Sequence, residues 1–177
     1  MNTVILHSCV DANLLQRTYE ASWKSSEWTF EFPRNSSYDK RHPKITLIEH
    51  GQVISKDENL ISLIKEIHSQ IYDSYECFDR EILFAGISMK DITFKENVHT
   101  DHNGGCKLLG LLNPIWKKEW GGGFIHDEKV YDMQPGNFVL FDSTVEHAAD
   151  KILCEEKRVA IDFYQEKLGE ARLDFYK

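Results

Sequence analysis

Two hydrophobic periodicities run through the chain, and the point where one gives way to the other divides it. A short apolar run, Val4 to Leu6, leads to Asp11, after which Leu14, Leu15, Thr18, Tyr19, Ser22 and Trp23 recur at helical spacing. This predicts a strand followed by a helix capped by Asp11. From Phe32 to Lys44 the pattern lapses: Pro33, Asn35, Ser36, Ser37, Tyr38, Lys40, Arg41, His42 and Pro43 give a polar, locally basic loop. General loop statistics favour a solvated connector, with a lid over a site as the alternative. Ile45 to Ile48 reads as a strand. Ser55-x-x-Glu58 then forms a capping-box pattern ahead of Leu60, Ile64, Ile67, Ile71 and Tyr75, which are spaced by threes and fours.

From Ile82 onward the period shortens to two. Short β-type runs at Ile82 to Met89, Ile92 to Val98, Lys107 to Leu112, Phe124 to His126, Val130 to Met133, Phe138 to Phe141 and Arg158 to Tyr164 are separated by turn signals. Those signals are Asn103-Gly104-Gly105, Asn113-Pro114, Gly121-Gly122-Gly123 and Pro135-Gly136, and their spacing suits an antiparallel sandwich or barrel. Helices first and strands later predict an α+β, mainly β domain with the helices against one face. No internal repeat is present.

Composition narrows the class. A length of 177 residues suits one domain, 1–177, in which 1–80 form a helical support with a candidate lid loop and 81–165 form the core. With 41% hydrophobic and 28% charged residues, the chain reads as globular rather than disordered or fibrous. Lys+Arg of 21 against Asp+Glu of 29 gives a net charge of −8, which argues against nucleic-acid binding as a main function. Cysteines 9, 77, 106 and 154 form no C-x-x-C pair, and the start of the chain lacks a basic segment and a long apolar one. Free thiols and a cytoplasmic location are expected, and no apolar run is long enough to span a membrane.

Candidate chemistry begins with His99-Thr100-Asp101 at the end of a predicted strand. Residues two apart on a strand share a face, so an imidazole and a carboxylate can converge on one cation. Such a triplet alone is common and needs a third ligand from elsewhere. Downstream, a turn and strand from Pro135 to Asp142 precede His147, and Arg158 opens an alternating run. On that run Val159, Ile161 and Phe163 make an apolar face, whereas Arg158, Ala160, Asp162 and Tyr164 make a mixed polar one. If the apolar face packs on the helices, Arg158 looks inward, where an unpaired guanidinium is costly and a small-molecule carboxylate is a suitable partner. Two histidines and one carboxylate with open positions form the facial triad of non-haem Fe(II) oxygenases.

The order Val98-His99-Thr100-Asp101, Leu112-Asn113-Pro114-Ile115-Trp116, Trp120-Gly121-Gly122, Pro135-Gly136, Phe141-Asp142-Ser143, His147 and Arg158-x-Ala160-Ile161 resembles the 2-oxoglutarate/Fe(II)-dependent oxygenase superfamily. Within it the chain is most similar to the prolyl 4-hydroxylase-type domains. The resemblance runs from about Ile92 to Tyr164. It implies a double-stranded β-helix (jelly roll, cupin-like) core of eight strands with N-terminal supporting helices. It further implies that His99, Asp101 and His147 ligate Fe(II), that Arg158 clasps the distal carboxylate of 2-oxoglutarate, and that dioxygen takes the remaining position. The implied activity is that of an oxidoreductase, a dioxygenase. It would hydroxylate a C–H bond of a prolyl residue or another peptidyl or free amino acid, with succinate and carbon dioxide as coproducts and ascorbate as an optional reductant. Asp101, where related halogenases carry a small residue, favours hydroxylation.

Leu111 stands where many such domains place a tyrosine against the cosubstrate carboxylate. Lys107 and Leu109 share its face, so Lys107 either lends a second cation to that carboxylate or faces solvent at the strand entrance. Leu109, Leu111 and Phe124 are expected to line the cosubstrate pocket. Asp162, Tyr164 and Trp116 are candidate substrate contacts; for the first two a structural hydrogen bond competes, and for Trp116 and Trp120 a packing role does. His102 points away from Asp101, and His126 reads as a satisfied or exposed histidine. Cys106 and Cys154 are incidental to a nitrogen and oxygen site. The competing function is a non-catalytic, cupin-like sensor that binds metal or a carboxylate. Oxidation of a nucleobase is disfavoured by the charge, although the stretch from Arg34 to Lys44 offers a local phosphate contact. Neither a monomer nor a small homo-oligomer is excluded.

Overall fold

The computed structural model describes residues 3–30, 42–75, 81–94, 98–101 and 105–165. The order of elements is β1 (Val4–Leu6), α1 (Ala12–Lys24), β2 (Thr29–Phe30), β3 (Pro43–Glu49), β4 (Gln52–Val53), α2 (Glu58–Tyr75), β5 (Phe84–Lys90) and β6 (Cys106–Leu111). There follow a 3-10 turn (Lys118–Trp120), β7 (Phe124–His126), β8 (Lys129–Tyr131), β9 (Phe138–Asp142), β10 (His147–Ala149) and β11 (Arg158–Gln165). Of the polar stretch from Phe32 to Lys44, with its basic part from Arg34 to Lys44 the candidate lid, residues 32–41 lie outside the described residues, as do Cys77, His102, Asn103 and Gly104, while Pro43 and Lys44 belong to β3 and not to a loop.

The first helix starts where its sequence says it should: Asp11 Oδ1 accepts from the backbone N–H of Asn13 at 2.9 Å and of Leu14 at 3.1 Å. The second start differs from the expected capping box. Asp57 is the cap, its Oδ1 accepting from Leu60 N at 3.0 Å, while the Ser55 hydroxyl accepts from Asp57 N at 3.0 Å. Two good capping residues stood two apart, and the nearer one won.

All strand pairs are antiparallel. The large sheet has eight strands in the order β1-β9-β6-β11-β5-β3-β2, with β4 on β3, and the small sheet has three in the order β10-β7-β8. From β5 onward the chain passes back and forth between them: β5 and β6 in the large sheet, β7 and β8 in the small, then β9 in the large, β10 in the small and β11 in the large.

Period-two alternation decides which face of the large sheet does what. Val159, Ile161 and Phe163 are fully buried and share one cluster with Leu14, Leu15, Leu60, Ile64, Ile67 and Ile71 of the two helices. That face is the structural core. On the opposite face Leu111, Val139, Phe141 and Ala160 meet Phe124 of the small sheet, together with Trp116, Met133 and Ile152. The mainly β, α+β architecture agrees with the sequence pattern.

Several boundaries depart from it. No strand forms over the described part of Ile92 to Val98. Asp91 Oδ1 accepts from Thr93 N at 2.8 Å and its carbonyl accepts from Phe94 N at 2.9 Å, turning the chain where apolar alternation predicted extension. The strand expected at Val130 to Met133 sits one residue earlier at its start, and β4 and β10 are too short to carry a period. Among the described residues no helix is long and apolar enough to cross a membrane.

His68 of α2 is 3% exposed, with its ring centroid 5.2 Å from that of Phe163. Burial pushes its pKa down to about 4. The unfolded chain, with a pKa of about 6.5, therefore takes up this proton first, so the contribution to stability is whole above pH 6.5 and is lost as pH falls towards 4. Thermal or urea melts between pH 7 and 4 should show a loss on the order of 3 kcal/mol from this group. His147 adds to the same slope, so His68→Leu should flatten the profile only in part; an unchanged slope would exclude His68.

A candidate metal and carboxylate site

The residues singled out by spacing are drawn together by backbone bonds. His99 forms an isolated antiparallel bridge with His147, N–H to carbonyl at 3.0 Å one way and 2.9 Å the other. Asp101 N donates to Ser143 O at 2.9 Å, and Ser143 N donates to Gly105 O at 2.9 Å, so the segment carrying His99 and Asp101 is stitched beside β10. One ligand atom from each of His99, Asp101 and His147 lies within 4.8 Å of the other two. The site grades from exposed at His99 to buried at His147, which leaves one side open.

Its electrostatics suit a cation. His147 Nδ1 donates to Val145 O at 2.9 Å, which presents the lone pair of Nε2 towards Asp101 Oδ2 at 3.6 Å. Burial pushes this imidazole's pKa down to about 4, so it is neutral at pH 7, as a ligand must be. Burial, the largest single influence, would raise the Asp101 carboxyl, but the Lys107 ammonium 2.7 Å from Oδ2, with His147 and His99 adding to it, holds the pKa below the usual value. Lys107 in turn is disfavoured by burial yet raised overall by Asp162 and Asp101. A positive charge thus already rests on Asp101 Oδ2. Two imidazole nitrogens and one carboxylate oxygen on neighbouring segments fit a divalent iron with open positions.

Arg158 lies at the far end of β11. It is 1% exposed, Nε donates to Gly122 O at 2.7 Å, and Nη2 is buried without a hydrogen-bond partner. Burial lowers its pKa to about 10, so it stays charged at pH 7. Asn113 fixes the backbone on both sides of it: Nδ2 donates to Lys157 O at 2.9 Å and Oδ1 accepts from Val159 N at 2.7 Å. Sequence reading treated Asn113 as a turn residue; the signal that could have exposed this role is a buried amide in a turn, which needs partners. Gly121 and Gly122 have φ of +67° and +68°, and a side chain on Gly122 would sit 3.0 Å from Arg158 Cδ and 3.1 Å from Trp116 Cζ2.

The remaining candidates fall along β11 and its neighbours. Leu111 is opposite Ala160, Leu109 opposite Asp162, and Lys107 opposite Tyr164. All therefore share the inward face, with Phe124 stacked above, its ring centroid 4.4 Å from that of Phe141. Lys107 is at the metal end, engaged with Asp101, and not across from Arg158. Asp162 is half-buried between the two ends, and Tyr164 is half-buried opposite Lys107 at the metal end. Trp116 is 5% exposed and its Nε1 donates to Gly121 O at 2.9 Å, placing it in the wall behind Arg158. His126 is buried with both ring nitrogens engaged, Nδ1 with Thr3 Oγ1 at 2.7 Å and Nε2 with Asp142 O at 3.0 Å. Cys106 is buried and Cys154 half-buried. Lys90, which spacing did not single out, is the partner of Arg158 on β5.

No protein-family model matches the chain, and no curated protein matches it. Solved structures do. A Burkholderia pseudomallei oxidoreductase of the 2OG-Fe(II) oxygenase family aligns with a TM-score of 0.65 at 16% identity, covering 96% of this chain and 88% of that one. A Pseudomonas putida prolyl-4-hydroxylase aligns with a TM-score of 0.60 at 15% identity, covering 93% and 92%. A Trichoplax adhaerens prolyl hydroxylase in complex with a hypoxia inducible factor oxygen degradation domain peptide fragment aligns with a TM-score of 0.64 at 16% identity, covering 99% and 87%. The chain therefore shares the fold of 2-oxoglutarate/Fe(II) oxygenase and prolyl hydroxylase structures, as the sequence resemblance implied.

Gly122→Ala should crowd Arg158 and force a left-handed backbone on a residue with a side chain. Urea unfolding should show a loss of about 1–2 kcal/mol. Unchanged stability would mean that the turn relaxes without disturbing Arg158.

Proposed function

We propose that the protein is an Fe(II)- and 2-oxoglutarate-dependent dioxygenase that hydroxylates a C–H bond of a prolyl or other amino-acid or peptidyl substrate. The observation that carries this reading is the pairing of His99, Asp101 and His147 with a buried guanidinium, Arg158, whose Nη2 lacks a partner. A metal-ligand set at one end of an inward sheet face and an orphaned cation at the other suit a ligand that chelates with one end and carries a carboxylate at the other. The passage of strands between the two sheets supports a double-stranded β-helix, and residues 81–165 a catalytic core on a helical support.

In this reading His99 and His147 hold the metal through ring nitrogens and Asp101 through a carboxylate oxygen. Val145 keeps the proton of His147 on Nδ1. Arg158 receives the distal carboxylate, and Leu109, Leu111 and Phe124 exclude water along the carbon chain. Asp162 and Tyr164 face the substrate side. Bound there, iron with 2-oxoglutarate and dioxygen would supply the oxidising chemistry that yields succinate and carbon dioxide while C–H becomes C–OH. The Trichoplax neighbour's peptide complex supports a peptidyl substrate. Ascorbate would serve only to keep the iron reduced.

One observation favours a second reading: Leu111 is fully buried among apolar side chains and offers the cosubstrate no hydrogen bond. A cupin-like binder without turnover would have that character.

Anaerobic addition of Fe(II) and 2-oxoglutarate should produce a visible metal-to-ligand charge-transfer band that His99→Ala and Asp101→Ala abolish. In air, succinate should form, and mass spectrometry of proline-containing peptides and free amino acids should find one that gains an oxygen atom. A band without succinate supports the binding-only reading; neither band nor succinate overturns the oxygenase reading.

A further inference from the structure

Strand β11 has two neighbours, and each places a residue opposite the Arg158 end of its inward face. On the β6 side stands Leu111, opposite Ala160. On the β5 side stands Lys90, directly opposite Arg158. Both basic side chains therefore leave the same face of the sheet, in register on adjacent strands, an arrangement of like charges that repels. The chain does little to relieve it. Among the described residues no carboxylate lies within ion-pair distance of either group, and Asp162 attracts Lys90 only from further along β11. Lys90 Nζ instead lies 4.5 Å from the centroid of the Phe94 ring, and Arg158 Nη2 has no partner at all.

Two basic groups in register on one sheet face, one of them with an orphaned N–H group, call for an anion between them. We propose that Lys90 is a second cosubstrate-binding residue, which together with Arg158 holds the carboxylate of 2-oxoglutarate farthest from the metal. The inference rests on the oxygenase reading and deepens it. It also accounts for Leu111: the polar contact missing from the β6 side of β11 is supplied from the β5 side. Lys107 does not compete for this role, because it stands opposite Tyr164 and is engaged with Asp101. Burial first, and the neighbouring Arg158 second, push the Lys90 ammonium down to about 7, with Asp162 opposing and Lys107 adding; a bound carboxylate would relieve both costs. The chemical consequence is selectivity. A ligand with a carboxylate at each end is strongly preferred over a 2-oxo acid that ends in a methyl group, and succinate, which keeps the distal carboxylate, is held by the same pair.

The test uses the full chain loaded anaerobically with Fe(II), titrated with 2-oxoglutarate, succinate and 2-oxobutyrate and followed by calorimetry and the charge-transfer band. Lys90→Met should weaken 2-oxoglutarate and succinate by roughly ten- to a hundredfold, the range for losing a hydrogen bond between charged groups. Binding of 2-oxobutyrate and of the metal should be unchanged, and Lys90→Arg should restore most of the affinity. If Lys90→Met does not fold, as judged by circular dichroism, Lys90→Gln carries the same comparison. Equal 2-oxoglutarate affinity in wild type and variant, or an equal loss for 2-oxobutyrate, overturns the role of Lys90 and leaves the oxygenase reading standing. A wild type that binds metal but none of the three acids overturns the oxygenase reading, and the role of Lys90 with it.

Discussion

A guanidinium that is 1% exposed and still charged is the constraint around which the inside of this protein is arranged. Burying it is tolerable only if its position is fixed and its charge is answered. Fixing comes from Gly122, whose carbonyl takes the Nε–H and whose missing side chain leaves room for the arm, and from Asn113, which grips the backbone before and after Arg158. The Leu112-Asn113-Pro114 turn and the Gly121-Gly122 turn, far apart in sequence from β11, thus serve one side chain. Nη2 is left buried without a hydrogen-bond partner.

The large sheet separates two jobs by face. One face is purely apolar and carries the helices, where Val159, Ile161 and Phe163 meet α1 and α2. The other carries Arg158 and Asp162 on β11, with Ala160 between them. Because neighbouring residues of a strand always point to opposite faces, stability and chemistry are interleaved residue by residue along the same eight positions. A substitution in β11 therefore acts on one job or the other according to its parity.

Much of this was legible beforehand because period two is a geometric rule. The alternation from Arg158 to Tyr164 named the helix-facing and inward-facing residues correctly, and the H-x-D triplet put His99 and Asp101 on one side. What the sequence hid were choices between near-equal local options and contacts between distant segments. Ser55 and Asp57 were both able to cap α2. The run from Ile92 was turned by the side chain of Asp91, a contact that no periodicity records. Lys90 resembled any lysine at a strand end, where exposure is the rule; only the register of β5 against β11 places it opposite Arg158. Asn113 read as turn chemistry because its partners, Lys157 and Val159, lie far along the chain.

At one edge the large sheet ends in a very short strand: β1, with three residues, covers Phe138, Val139 and Leu140 of β9. An open row of backbone donors and acceptors invites a second chain to add a strand. On the β9 side that row is interrupted after three residues by the departure of the chain towards α1. This strand therefore acts as a stopper as well as a stave, limiting the growth of sheet from one molecule into the next.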